Sequence, residues 1–297
     1  MRAALWLLTP RHFKGNFVVV LSTEELSGLA QELRADSLKM IATAVSGHPG
    51  GSLSAAEIMA TLYFKELAFR AQEPSWPGRD RFILSKGHAV PVLYAALCRA
   101  GCIEEEELST LRSIDSRLQG HPDHVRLPWI EAATGSLGQG LSVSVGMALA
   151  EKLDNENNFR TYCLMGDGEI QAGQVWEAAM SAGKFGLAKL TGIVDYNKVQ
   201  LDGRVANIMD LEPLADKWQA FGWDVVDVDG HDVDSLLAAY DSARANDQKP
   251  TVIIAQTIKG KGVSFMEDTH AWHGKAPDDN ELEQALLELG VGAAKDN

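Results

Sequence analysis

Thr161-Tyr162-Cys163-Leu164-Met165 runs straight into Gly166-Asp167-Gly168, and a second apolar run, Leu190 to Val194, leads to Asn197. Residues 169 to 196 lie between, enough chain for a turn, a helix and a return along a neighbouring parallel strand. An Asp and an Asn at two such strand ends can share one divalent cation. Mg²⁺ wants hard oxygen ligands in a near-octahedral set and takes few of them from side chains, leaving room for water and phosphate. The unit therefore reads as the seat of a metal-held diphosphate. Gly168 lets the backbone approach an anion, and the helix expected over Gln171 to Lys184 begins where free N–H groups favour negative charge. Most Gly-Asp pairs are plain turns, so the weight comes from the strand before and the spaced Asn after.

Outward from this unit the pattern alternates. Apolar or β-branched runs at 81–84, 161–165, 190–195, 223–228 and 251–257 read as buried strands, each separated from the next by enough chain for a helix. Ser22 with Glu25, and Ser54 with Glu57, have capping-box spacing ahead of helices near 24–45 and 55–66. The expected fold is α/β, doubly wound, with a mostly parallel sheet and helices on both faces. Ligands bind such sheets beyond the carboxyl ends of the strands. Ser85 to His88, Gly166 to Gly168, Asp195 to Asn197 and Lys259 to Gly262 all follow strands, while 112–135 and 259–278 are irregular stretches long enough to mark functional loops.

Composition narrows the classes. The chain has 297 residues, 45% hydrophobic and 23% charged, ordinary for a globular domain. Its net charge of −14 argues against binding to nucleic acid or an anionic membrane surface, so positive charge for phosphates must be local. Cys98, Cys102 and Cys163 are a sparse, odd set in apolar surroundings, which reads as buried thiols in a cytoplasmic protein. Residues 1–21 read as an extension, disordered or an over-long start, and 22–297 as one domain. No apolar run is long enough to span a bilayer.

Four of eight histidines, His48, His88, His121 and His273, sit beside Gly or Pro in the loops, where imidazole can bond a hydroxyl or phosphate oxygen and exchange a proton near neutral pH. His12, His124, His231 and His270 read as structural. Taken with Ser46 to Gly51, Leu84 to Ala89, Gly120-His121-Pro122, Thr134 to Gly140 and Ala271 to Pro277, the Gly-Asp-Gly to Asn197 unit makes the chain resemble the transketolase family. The likeness covers about residues 23 to 280, the amino-terminal domain of a transketolase, the diphosphate-binding domain of the thiamine diphosphate-binding fold.

The resemblance implies a site residue by residue. Thiamine diphosphate would be bound by His88, Gly135, Ser136, Leu137, Gly166, Gly168, Glu169, Asn197 and His273, and Mg²⁺ (or Ca²⁺ or Mn²⁺) by Asp167, Asn197 and the carbonyl of Val199. His88 and His273 would face the diphosphate and reacting carbon, and His48 and His121 the sugar hydroxyls. Two positions depart from the family: Ser136 replaces its usual Pro, and Ala172 its usual Glu at a dimer interface, though Glu177 is kept. In the family a Glu and the pyrimidine pocket come from a following domain, for which this chain leaves no room. The resemblance thus implies a split transketolase: an amino-terminal subunit that, with a separate carboxy-terminal subunit in a heterotetramer of two of each, moves a two-carbon ketol unit from a phosphorylated ketose to an aldose. A 1-deoxyxylulose-5-phosphate synthase or 2-oxo acid dehydrogenase subunit, or a non-catalytic cofactor-binding scaffold, are the alternatives, and His121-Pro122 and Trp272-His273-Gly274 favour transketolase.

Overall fold

The computed structural model describes residues 21–154 and 157–291. Its elements, in order, are α1 Thr23–Thr43, α2 Pro49–Ser54, α3 Ala56–Thr61, β1 Arg81–Leu84, α4 Val90–Arg99, α5 Gln139–Asp154, β2 Thr161–Gly166, α6 Gly173–Phe185, β3 Leu190–Tyr196, α7 Val205–Ile208, α8 Leu214–Ala220, β4 Asp224–Asp229, α9 Val233–Ala245, β5 Thr251–Gln256 and α10 Asp279–Glu288. The strands described form one parallel sheet in the order β1-β2-β3-β5-β4. All five expected strands are present, within a residue or so of their predicted ends. The expected extension lies outside the described residues except for Leu21, which is buried in the core.

Side chains alternate across a strand, and here both faces are covered. Phe82, Leu84, Tyr162, Leu164, Ile193 and Ile253 pack with residues of α1, α3, α4 and α9. Their sequence neighbours Ile83, Cys163, Met165, Val194, Val252 and Ile254 point the other way, against α5, α6 and α8. A third cluster joins Val263, Met266 and Trp272 of the long C-terminal loop to α1 and α10. That cluster is what gives the loop a fixed shape.

Local chemistry explains the helix ends. Ser22 and Glu25 form the predicted reciprocal box at α1. The box predicted from Ser54 and Glu57 does not form, because Pro49 starts a helical turn earlier and Ser54 closes it. Tertiary partners have taken both side chains: Ser54 Oγ donates to Asp195, while the Glu57 carboxylate accepts from Arg34 and faces His231 Nδ1. His231 Nε2 accepts the Ile258 N–H at 2.8 Å, so this histidine bridges two elements, as a structural residue would. The helix expected from Gln171 begins instead at Gly173, after a 3₁₀ turn over Glu169–Gln171.

Candidate active site

Parallel register sets Gly166 opposite Asp195, so the loops leaving β2 and β3 stand side by side. Asp167 and Asn197 are both buried there. Asp167 accepts the backbone N–H of Gly168 at 2.7 Å and also that of Lys198. The Asn197 side-chain N–H donates to Asp195 at 3.0 Å. A carboxylate can only accept, so Asp195 fixes which way the amide points and turns Asn197 Oδ1 away from itself. Gly168 is needed by space: a Cβ there would stand 2.8 Å from that of Gln200.

Asp195 is fully buried and gathers four donors: Lys86 Nζ at 2.6 Å, Ser54 Oγ at 2.6 Å, Asn197 and Thr257. Burial pushes its carboxyl up, but Lys86 and these bonds hold it below the usual range. Asp167 is less well compensated. Burial, then the neighbouring Asp195 charge, raises it to about 6 against its two N–H bonds and Lys259. Lys259 donates to the Val199 carbonyl and to His273 Nδ1, both at 2.8 Å, and burial lowers it to about 8. A buried, under-compensated carboxylate, an oriented amide oxygen and a carbonyl already facing a cation make a hard-oxygen donor set that fits Mg²⁺. Among the described residues no group of three or more His, Cys, Asp and Glu stands together to hold a metal, so no zinc-type cluster competes with it.

Three imidazoles meet over this floor. Ring centroids are 5.3 Å apart for His48 and His88, 5.5 Å for His48 and His273, and 5.1 Å for His88 and His273. Burial, then neighbouring lysines, pushes His88 well below its ordinary value and His273 to about 3. Burial, then Arg112, lowers His48 to about 4 and His121 less far. All four are therefore neutral near pH 7 and can both donate and accept. His273 accepts at Nδ1 from Lys259, which leaves the proton on Nε2 for a ligand. His121 stands at the exposed end, its Cδ2 2.6 Å from where a Cβ on Gly135 would lie; Gly135 also has φ of +127°.

A cavity of about 220 Å³ is lined by Lys86, His88, Leu137, Gly166 to Glu169, Asp195, Asn197, Val199, Leu201, Lys259 and His273, among others. The loop before α5 is clamped at both ends, Thr134 Oγ1 donating to Leu84 O at 2.7 Å and Gly138 N to Glu169 at 2.9 Å. Ser136 and Leu137 stay exposed between the clamps. Glu169 also accepts from Ser85 and Gly166, so its carboxylate ties three loops together. Leu137 and Leu201 are 45% and 57% exposed at the cavity. Sequence reasoning gave no role to Lys86, Asp195, Thr257, Lys259 or Leu201. A charged residue inside the otherwise apolar β3 was the available signal for Asp195.

Residues 26–296 match the family model of the transketolase thiamine diphosphate-binding domain. The chain belongs to the transketolase family. It is 45% identical over 265 residues to the 6-deoxy-6-sulfo-D-fructose transketolase subunit of Clostridium sp. (strain MSTE9), covering 89% of this chain and 96% of that protein. It is 39% identical over 269 residues to an apulose-4-phosphate transketolase subunit from Phocaeicola vulgatus, covering 91% and 95%. The transketolase of Leishmania mexicana superposes with a TM-score of 0.86 at 32% identity over 93% of this chain and 42% of that one. Against full-length transketolases the chain thus spans less than half their length, the cofactor-binding part.

Proposed function

We propose that this chain is the amino-terminal subunit of a split transketolase, transferring a two-carbon ketol unit from a phosphorylated ketose to an aldose together with a carboxy-terminal subunit. The observation that carries this reading is the triad of neutral imidazoles above the Asp167, Asn197 and Val199 oxygens, in a chain that covers nearly all of two known transketolase subunits. Asp167, Asn197 Oδ1 and the Val199 carbonyl hold a divalent metal, Mg²⁺ first among candidates, and Gly168, His88 and His273 meet the diphosphate. Leu137 and Leu201 flank the thiamine ring. Bound thiamine diphosphate supplies the electron sink for cleaving and re-forming the carbon–carbon bond.

The protein's part is positioning and proton management. His273 presents an N–H beside the diphosphate, and His48 and His121 offer neutral nitrogens to sugar hydroxyls. The partner brings the pyrimidine pocket and its Glu, in an assembly of two of each subunit. The cytoplasmic setting is the reading from its three free cysteines. No helix among the described residues is long and apolar enough to cross a membrane. Co-purification with the partner, then a screen of ketose donors and aldose acceptors, tests the reading. Ketol transfer that depends on metal and thiamine diphosphate supports it, and its absence with every donor contradicts it.

A further inference from the structure

β5 leaves the sheet after Gln256, the last residue in register with Tyr196 of β3 and Asp229 of β4. Thr257 N still reaches Tyr196 O, at 3.3 Å, but the Ile258 amide lies past both neighbouring strands. A sheltered N–H left without an acceptor is costly, and this one donates to Nε2 of His231 at 2.8 Å. Gly230 makes the approach possible, because a Cβ there would stand 2.5 Å from Thr257 Cγ2. The other ring nitrogen, Nδ1, is 2.9 Å from Glu57, whose carboxylate takes both terminal nitrogens of Arg34 at 2.7 and 2.6 Å. Arg34 Nε donates in turn to the Leu53 carbonyl at 3.0 Å, so α1, α2 and α3 all stand behind the ring. Burial pushes the Glu57 carboxyl up, but the His231 bond and Arg34 hold it below its usual range, ionised. An ionised carboxylate only accepts and an amide N–H only donates. His231 therefore carries its proton on Nδ1 and its lone pair on Nε2.

Ile258 immediately precedes Lys259, whose Nζ donates to the Val199 carbonyl and to His273 Nδ1. The backbone around Lys259 is held at three points: by His231 at Ile258, by Asp268 N on the Lys259 carbonyl at 2.8 Å, and by Gly50 O on Gly260 N at 3.0 Å. Its side chain has little slack, since a Cβ on Gly50 would lie 2.9 Å from Lys259 Cε. A backbone shift at Ile258 carries Nζ off His273 Nδ1, and that nitrogen then competes for the ring proton. Lys259 and His273 line the cavity, and His231 does not. We propose that His231 is a positioning residue: it passes the fixed geometry of Arg34 and Glu57 to the Ile258 amide, sets where Lys259 stands, and so keeps the His273 proton on Nε2 for a ligand. What that N–H then does rests on the transketolase reading of the site, whereas the chain of bonds that holds it does not.

The test pairs His231→Gln, which keeps an acceptor at the place of Nε2, with His231→Asn, which keeps only a donor at the place of Nδ1. In the full chain labelled with ¹⁵N-histidine, His273 is identified as the signal missing from His273→Gln. Wild type and His231→Gln show it with Nδ1 bare and Nε2 protonated, and His231→Asn shows averaged tautomers. In the complex with the carboxy-terminal subunit, His231→Asn lowers kcat about 10- to 100-fold, the cost of a misplacement of about 1 Å, and changes donor KM and thiamine diphosphate affinity less. His231→Gln restores most of that kcat. An unchanged His273 tautomer in His231→Asn overturns the proposal, and so does equal loss of kcat in the two variants, the mark of a merely structural role. A further arm needs no variant. In the uniformly ¹⁵N-labelled wild-type chain a coupling across the hydrogen bond joins Ile258 N to His231 Nε2, and its absence overturns the assignment. A wild-type complex that transfers from no donor contradicts the transferase reading, and the two NMR arms still decide His231.

Discussion

At the scale of single residues, the proposed metal seat rests on Asp167, whose carboxyl is raised to about 6 because burial and Asp195 outweigh its N–H bonds. Replacing it removes a ligand while leaving the Asp195 network to hold the loops. Asp167→Ala therefore lowers metal-dependent thiamine diphosphate affinity about 10- to 100-fold or more, with a near-native circular dichroism spectrum. Unchanged affinity by calorimetry would put the metal elsewhere. The histidines divide by depth. His88→Ala, within the triad, impairs cofactor binding and transfer alike; His121→Ala, at the exposed end, leaves binding largely intact and lowers kcat of the complex by roughly 10²- to 10³-fold. Identical behaviour of the two variants in both assays would contradict their assignment. The adjacency of Asp167 and Asn197 was legible because two strand ends and a fixed spacing announce it, whereas Val199 came only from the family likeness. The Lys86–Asp195 pair was not legible, because nothing in the one-dimensional pattern says which buried charges meet.

At the scale of elements, α5 shows how closely the site loops are packed. A Cβ on Gly140 would lie 2.8 Å from Ser85 Cα, whereas one on Gly146, two turns along the same helix, would meet nothing within 4 Å. Gly140→Ala forces α5 off the Ser85 loop and costs about 1–3 kcal/mol, and through the Ser85–Glu169 bond it also weakens cofactor binding. Gly146→Ala is neutral or stabilises by up to about 1 kcal/mol, since it removes only backbone freedom from the unfolded chain. Urea unfolding of the isolated chain checks both, and equal effects would contradict the packing. β1, β2, β3 and β5 were readable because both their faces are covered, which leaves largely apolar runs, whereas β4 at the sheet edge is partly exposed and mixes three valines with three aspartates. The cap ahead of α3 was misread for a tertiary reason. Ser54 and Glu57 have the right spacing for a cap, but Asp195, Arg34 and His231 claim their side chains, and no local rule contains those partners.

At the scale of the molecule, two cores on opposite faces of one sheet leave every site loop at the carboxyl edge, with a third core holding the His273 loop against α1 and α10. The family likeness supplied what physics alone could not, the identity of the diphosphate's owner and the need for a partner. Exposed Leu137 and Leu201 at the cavity fit a site completed from outside. The most direct test measures ketol transfer, with saturating Mg²⁺ and thiamine diphosphate, by the purified chain alone and as the carboxy-terminal partner is titrated in. Negligible transfer at the start and a rise to a plateau at one partner per chain are expected. Transfer by the chain alone at the plateau rate would contradict the split site.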